Sequence, residues 1–358
     1  MRCILITLII ILATVITPAR SEAQRFVVAD ATERFPLGGA SILTPGGAVS
    51  GLTDIEGVYR EPFTLPIRVS CPGYEEATVT AATDTVFLTP LNYQLSEVVI
   101  EPVDRPVMRL NCYVREYCTI SFGTDTILMV GEYMADFFMA EKKVKGFSHG
   151  DTFPDITVSK RRKEHRNAAG LDSISKPGRD DEFLSWAPLF TLNPQKFTVT
   201  DSLAAGVPEI KQGKYGPLST TRLSDDRLVI EIDALANKKD HHYSPWVLKL
   251  IGFTMDATQM HGRSIYLVNE RGEYGPTTLQ MSSKTIEMTI NSKWVKRELH
   301  TKEPVKSYSI VEVYPVGIEY LTPEEAKEAR ENPSQTEIVR PPMAPAFAPE
   351  IQRVMDYN

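Results

Sequence analysis

Gly51-Leu52-Thr53-Asp54-Ile55-Glu56-Gly57-Val58-Tyr59, followed a few residues on by Ile67-Arg68-Val69-Ser70-Cys71-Pro72-Gly73-Tyr74, is the stretch on which the fold turns. Thr53-Asp54 and Glu56-Gly57 are turn chemistry set between two short apolar runs. Gly57 can supply the positive φ that a tight reversal demands. The spacing predicts a hairpin. Pro72-Gly73 closes the next strand, because that dipeptide ends an extended run rather than continuing it.

Working outward, Phe26-Val27-Val28 opens a β-rich segment. Short strands are expected at residues 40–43, 58–60, 67–71, 77–80 and 85–88, with Gly, Pro or Asp between them. Turn signals at about every ten residues are the rhythm of an all-β sandwich. Together with Pro36-Leu37-Gly38-Gly39-Ala40, this pattern resembles the carboxypeptidase-regulatory-like domain over residues 24–101. The resemblance implies a seven-stranded, Ig-like or transthyretin-like β-sandwich in an exported protein, and it implies no reaction.

The setting is also written at the start of the chain. Met1-Arg2-Cys3, an apolar run over residues 4–16 and the small residues Ser21 and Ala23 have the anatomy of a secretory signal over residues 1–23. The run is shorter than the roughly 20 apolar residues that span a bilayer, so no transmembrane segment is expected after cleavage. The formal charge is -7. It is unevenly placed, since residues 24–104 hold eleven carboxylates against Arg25, Arg34, Arg60 and Arg68. That balance argues against nucleic acid as a partner.

Leu95-Ser96-Glu97-Val98-Val99-Ile100 resembles the segment that follows this sandwich in TonB-dependent receptors and other exported proteins of Bacteroidota. The residues that remain are too few for a receptor barrel. Pro102-Val103-Asp104-Arg105-Pro106 reads as a linker, taken as residues 102–108, before a second, antiparallel β-rich domain over residues 109–320. Within it Tyr113-Val114-Arg115-Glu116-Tyr117 and Gly131-Glu132-Tyr133 resemble a pattern of uncharacterised exported proteins, distantly like the half-barrel of lipoprotein carriers. Leu228-Val229-Ile230-Glu231-Ile232 and Ile286-Glu287-Met288-Thr289-Ile290 alternate with period two, the mark of half-buried strands. Residues 246–251 also read as a strand. The basic run Lys160-Arg161-Arg162-Lys163-Glu164-His165-Arg166 reads as a solvated loop or helix end. Thr322-Pro323-Glu324-Glu325 reads as a capping box launching a helix over residues 321–332, and the Pro-rich residues 333–358 as a disordered tail.

Chemistry is sparse. Gly146-Phe147-Ser148-His149-Gly150 spells the nucleophile-elbow pattern, but Glu141-Lys142-Lys143 stands where an apolar strand should precede it. His241-His242 beside Asp240 are adjacent, so on a strand they point to opposite faces and form a poor metal pair. Cys71, Cys112 and Cys118 lack metal-ligand spacing and read as small buried hydrophobes. Four Asp-Ser/Thr-aliphatic tripeptides, at residues 84, 125, 172 and 201, resemble O-glycosylation acceptors. No cofactor, metal or catalytic residue is assigned. The function expected is a non-enzymatic binding or assembly module at the periplasmic face of the outer membrane, meeting a protein, lipid or peptide partner. An apolar groove is expected in the second domain. The alternative is a periplasmic hydrolase using Ser148 or a His-bound metal.

Overall fold

The computed structural model describes residues 25–91, 105–140, 144, 155–167, 170–175, 198–199, 210–211, 218–224, 227–233, 235, 241–242, 252–268, 274, 276–333 and 335–341. The chain is mainly β, with antiparallel pairing dominant. Seven strands come first: β1 (Phe26–Asp30), β2 (Ser41–Leu43), β3 (Val49–Leu52), β4 (Val58–Tyr59), β5 (Ile67–Ser70), β6 (Ala77–Val79) and β7 (Thr85–Leu88). They form two sheets, β4-β1-β7 and β3-β2-β5-β6. Phe26, Val28, Ile42, Tyr59, Val69 and Leu88 fill the space between them.

The turn residues explain this packing. Thr53 Oγ1 donates to the Leu37 carbonyl at 2.7 Å and accepts from the Ala40 N–H at 2.9 Å, so one buried hydroxyl ties two loops together. Asp54 Oδ1 accepts from the N–H groups of Glu56 and Val58 at 3.0 and 2.8 Å. Gly57 sits at φ 71°, and a Cβ there would lie 2.5 Å from the Val28 carbonyl oxygen. Only glycine fits. The turn is tight, but the expected hairpin does not form: β3 pairs with β2, whereas β4 pairs with β1 in the opposite sheet. Burial of Tyr59 against Phe26, ring centroids 5.4 Å apart, draws β4 across.

The remaining strands are β8 (Val107–Phe122), β9 (Asp125–Ala140), β10 (Asp155–Asn167), β11 (Gly170–Ser175), β12 (Thr198–Val199), β13 (Ile210–Lys211), β14 (Leu218–Ser224), β15 (Arg227–Asp233), β16 (His241–His242), β17 (Phe253–Leu267), β18 (Leu279–Ser292) and β19 (Val305–Leu321). Among the described residues two α-helices accompany them, α1 (Lys293–Glu298) and α2 (Pro323–Glu331). β12 and β13 pair with each other. The other ten strands form one antiparallel sheet in the order β11-β10-β9-β8-β19-β18-β17-β15-β14, with β16 beside β17.

Several expectations are corrected here. β8 begins at Val107, inside the stretch read as linker, because Val107 and Met108 pair with Ala140 and Met139 on one side and with Leu321 and Tyr320 on the other. The basic run at residues 160–166 is neither loop nor helix end but lies within β10, paired along β9 from Glu132 to Thr126. The tail is not wholly unstructured. Ile338 packs against the cluster that holds Tyr113, Met134 and Tyr314, and Arg340 bonds Glu132, so this part of the tail is held by the sheet. The segment read as a strand at residues 246–251 lies outside the described residues.

The capping box is present as read: Thr322 Oγ1 accepts from Glu325 N–H at 3.2 Å and Glu325 Oε2 accepts from Thr322 N–H at 2.9 Å. Ala326 and Ala329 of α2 pack on Val107, Phe138 and Leu321. Among the described residues, no helix is long and apolar enough to cross a membrane.

Candidate functional site

Alternation along each strand gives the long sheet two faces. One carries Tyr117, Leu128, Val130 and Tyr308, which form a single cluster with Leu43, Val49 and Leu52 of the sandwich. This is the sandwich face. Cross-strand register places Glu132, Arg115, Glu312, Ser283, Arg263 and Glu231 side by side on it, one from each of six adjacent strands. Charges alternate along the row. Arg115 Nε donates to Glu312 at 2.5 Å, and Arg263 Nε donates to Glu231 at 2.8 Å. At the far end of the row Arg340, from the tail, donates two bonds to Glu132, at 2.8 and 2.5 Å.

Arg263 fastens the sandwich to the sheet. Besides Glu231 it donates to Cys71 Sγ, to the Pro72 carbonyl at 2.8 Å and to the Gly38 carbonyl at 3.2 Å, and its guanidinium lies 5.4 Å from the Tyr74 ring centroid. Burial works against its charge, but Cys71, Glu231 and Tyr74 more than offset this and hold its pKa above the usual arginine range. Beside it, Gly39 at φ 69° comes so close to His261 that a Cβ would lie 2.8 Å from the histidine Cβ. Burial pushes the His261 pKa down, against the opposing pull of Asp233 and Glu231.

The motif noticed in β8 and β9 is a reciprocal lock between those two strands. Tyr113 Oη donates to Glu132 Oε2 at 3.0 Å on the sandwich face, and Tyr133 Oη donates to Glu116 Oε1 at 2.8 Å on the opposite face. Both carboxylates are buried.

The opposite, far face is apolar over most of its area. Met108, Leu110, Cys112, Val114, Tyr133, Ala135, Phe137 and Met139 from β8 and β9 join Leu228, Ile230, Ile232, Tyr266, Leu279, Val311 and Val313 in the largest buried apolar cluster among the described residues. A short polar strip interrupts it. Ser264 and Ser282 face each other with their hydroxyls 3.1 Å apart, and Lys284 stands two residues along β18 from Ser282. Lys284 is 2% exposed, and burial pushes its pKa down to about 7. In the same cross-strand row lie Val311 and then Glu116. At one end of this face the inner side of α1, Val295 and Leu299, packs on Cys118, Phe122, Ile127 and Ile290.

The residues singled out from sequence fall elsewhere. Ser148 lies outside the described residues. His241 and His242 form β16, opposite Ala257 and Asp256 of β17. Among the described residues no group of three or more His, Cys, Asp or Glu could hold a metal ion. Cys71, Cys112 and Cys118 are buried free thiols, with Cys118 pushed up to about 12 by burial. Sequence reasoning missed Lys284 and Arg263. Their only signal was a basic residue inside an otherwise half-apolar alternating run.

No protein-family model and no curated protein matches the chain. Among solved structures, one titled "Lipid-protein interactions in lipovitellin" is similar at a TM-score of 0.30 and 9% identity, over 65% of this chain and 26% of that one. The chain therefore spans about a quarter of the length of the protein it matches.

Proposed function

We propose that the chain is an exported, non-enzymatic binding module at the periplasmic side of an outer membrane, and that its long sheet holds an amphiphilic ligand on the far face. The observation that carries this reading is the polar strip set within the apolar far face. The sandwich face packs on the sandwich, α2 and the segment around Arg340. The far face bears the largest apolar cluster among the described residues and, set within it, a compact strip of Lys284, Ser282 and Ser264; cluster and strip are buried, so the ligand would be enclosed rather than laid on an open surface. A mostly apolar surface with a few convergent polar groups is what orients an amphiphile. An ammonium whose pKa is near 7 takes up its proton readily when an acidic head arrives. Export rests on the anatomy of residues 1–23.

The test is direct. Protein purified from its native host is extracted and the organic phase analysed by mass spectrometry, while the delipidated protein is titrated with oleate. A co-purifying amphiphile and saturable oleate binding, weakened about tenfold or more in Lys284→Met, are expected. Absence of both refutes the reading.

A further inference from the structure

Trp294 on α1 is 62% exposed, more than any other large hydrophobic side chain among the described residues. Its exposure is built in. Ser292 Oγ caps the helix by accepting from Val295 N–H, and the far end is tied by Leu299 N–H to Val295 O at 2.9 Å, His300 N–H to Arg297 O at 3.1 Å and Thr301 N–H to Lys296 O at 2.9 Å. Val295 and Leu299, four residues apart, turn inward. Lys293, Trp294 and Arg297 are therefore left facing solvent, and His300 and Lys302 are exposed in the turn that follows.

The charge here opposes that of the whole molecule. Residues 293–303 hold Lys293, Lys296, Arg297 and Lys302 against Glu298 and Glu303, in a chain whose formal charge is -7. The internal pairing is weak, since Arg297 and Glu298 stand 3.9 Å apart and both are largely exposed.

We propose that α1 and the turn after it form a docking face for an anionic lipid surface. An indole with a ring of ammonium and guanidinium groups matches the boundary between headgroups and acyl chains, where tryptophan settles and basic residues meet lipid phosphates. Single-stranded nucleic acid asks instead for successive aromatic platforms, and this turn offers one. The inner side of α1 closes one end of the far face, so the contact would lie at the rim of that face. The inference stands whether or not the far face carries a ligand.

The experiment is vesicle flotation of the full chain, using phosphatidylethanolamine vesicles with and without phosphatidylglycerol. The chain is expected to float only with the anionic vesicles and to be released by high salt. Reversing Lys293, Lys296 and Arg297 to Glu should lower partitioning by about a hundredfold or more, and Trp294→Ala by about tenfold. Both sets lie on an exposed surface, and an unchanged melting transition shows that they fold. Equal partitioning onto uncharged and anionic vesicles, partitioning unaffected by either set, or binding to heparin or DNA but not to vesicles would overturn the proposal.

Discussion

Arg263→Ala should loosen the sandwich from the sheet. The guanidinium is buried and makes bonds of 2.8 Å to Glu231, 2.8 Å to the Pro72 carbonyl and 3.2 Å to the Gly38 carbonyl, besides its contact with Cys71 Sγ. Removing one partner of a buried ion pair costs about 3–5 kcal/mol, because the other charge is left behind. Each stranded carbonyl adds about 1 kcal/mol at the low end. These contributions share a site and do not simply add. A loss of about 5 kcal/mol is therefore expected, a large part of the roughly 5–15 kcal/mol that holds a typical protein folded. Urea unfolding followed by circular dichroism measures it, and thiol labelling with peptide mapping reports on Cys71, which should become reactive in native conditions. Replacing the pair together, Arg263→Met with Glu231→Leu, should recover most of the loss, since no buried charge is then left unpaired. A single variant within about 1 kcal/mol of wild type, with Cys71 still protected, would show that Arg263 does not hold the two parts together.

Lys284→Met should stabilise the chain at neutral pH. The folded pKa of Lys284 is about 7, below its ordinary 10.5, so the unfolded state binds more protons between those values and wild-type stability rises across that window. Denaturation at stepped pH should show the advantage of the variant shrinking as pH climbs from 7 toward 10. His261 faces Asp233, Glu231, Arg263 and Asp54, and its pKa is lowered by burial. Stability should therefore fall as pH drops below about 6.5, and His261→Gln should flatten that part of the profile. Gly39→Ala places a Cβ 2.8 Å from that of His261 at a positive φ, so a loss of about 1–3 kcal/mol is expected in urea. Arg340→Ala takes two charge-assisted bonds from the fully buried Glu132, which keeps its bond from Tyr113 Oη, for a loss of about 1–3 kcal/mol measured the same way.

The sandwich was legible in the sequence because its cues are local. Thr53, Asp54 and Gly57 act within a few residues of one another, and the capping box of α2 spans four. The long sheet was legible only in pieces. β9 is buried at every position from Ile127 to Ala140, so no alternation marks its length, and it read as a single motif rather than a sixteen-residue strand. Strand order was hidden for another reason. β8 pairs with β19, joining Arg115 to Glu312 across 197 positions, and no local pattern encodes a partner that distant. α1 has too few residues to show a helical period. The basic run in β10 was misread because charge suggests solvent, although a strand can carry charge on one face.

The position of β19 also bears on the order in which the molecule can be assembled. It is the last strand among the described residues, yet it lies in the interior of the ten-stranded sheet, between β8 and β18. A chain emerging from its N-terminus must present β8 and β9 on one side and β17 and β18 on the other before the strand that joins them exists. Until then two unpaired edges, each backed by apolar side chains, face one another, and such edges readily pair with the wrong neighbour. Completion of the sheet thus waits until β19 has been made, and a truncation before residue 305 should yield two half-sheets prone to aggregation rather than a shortened but folded protein.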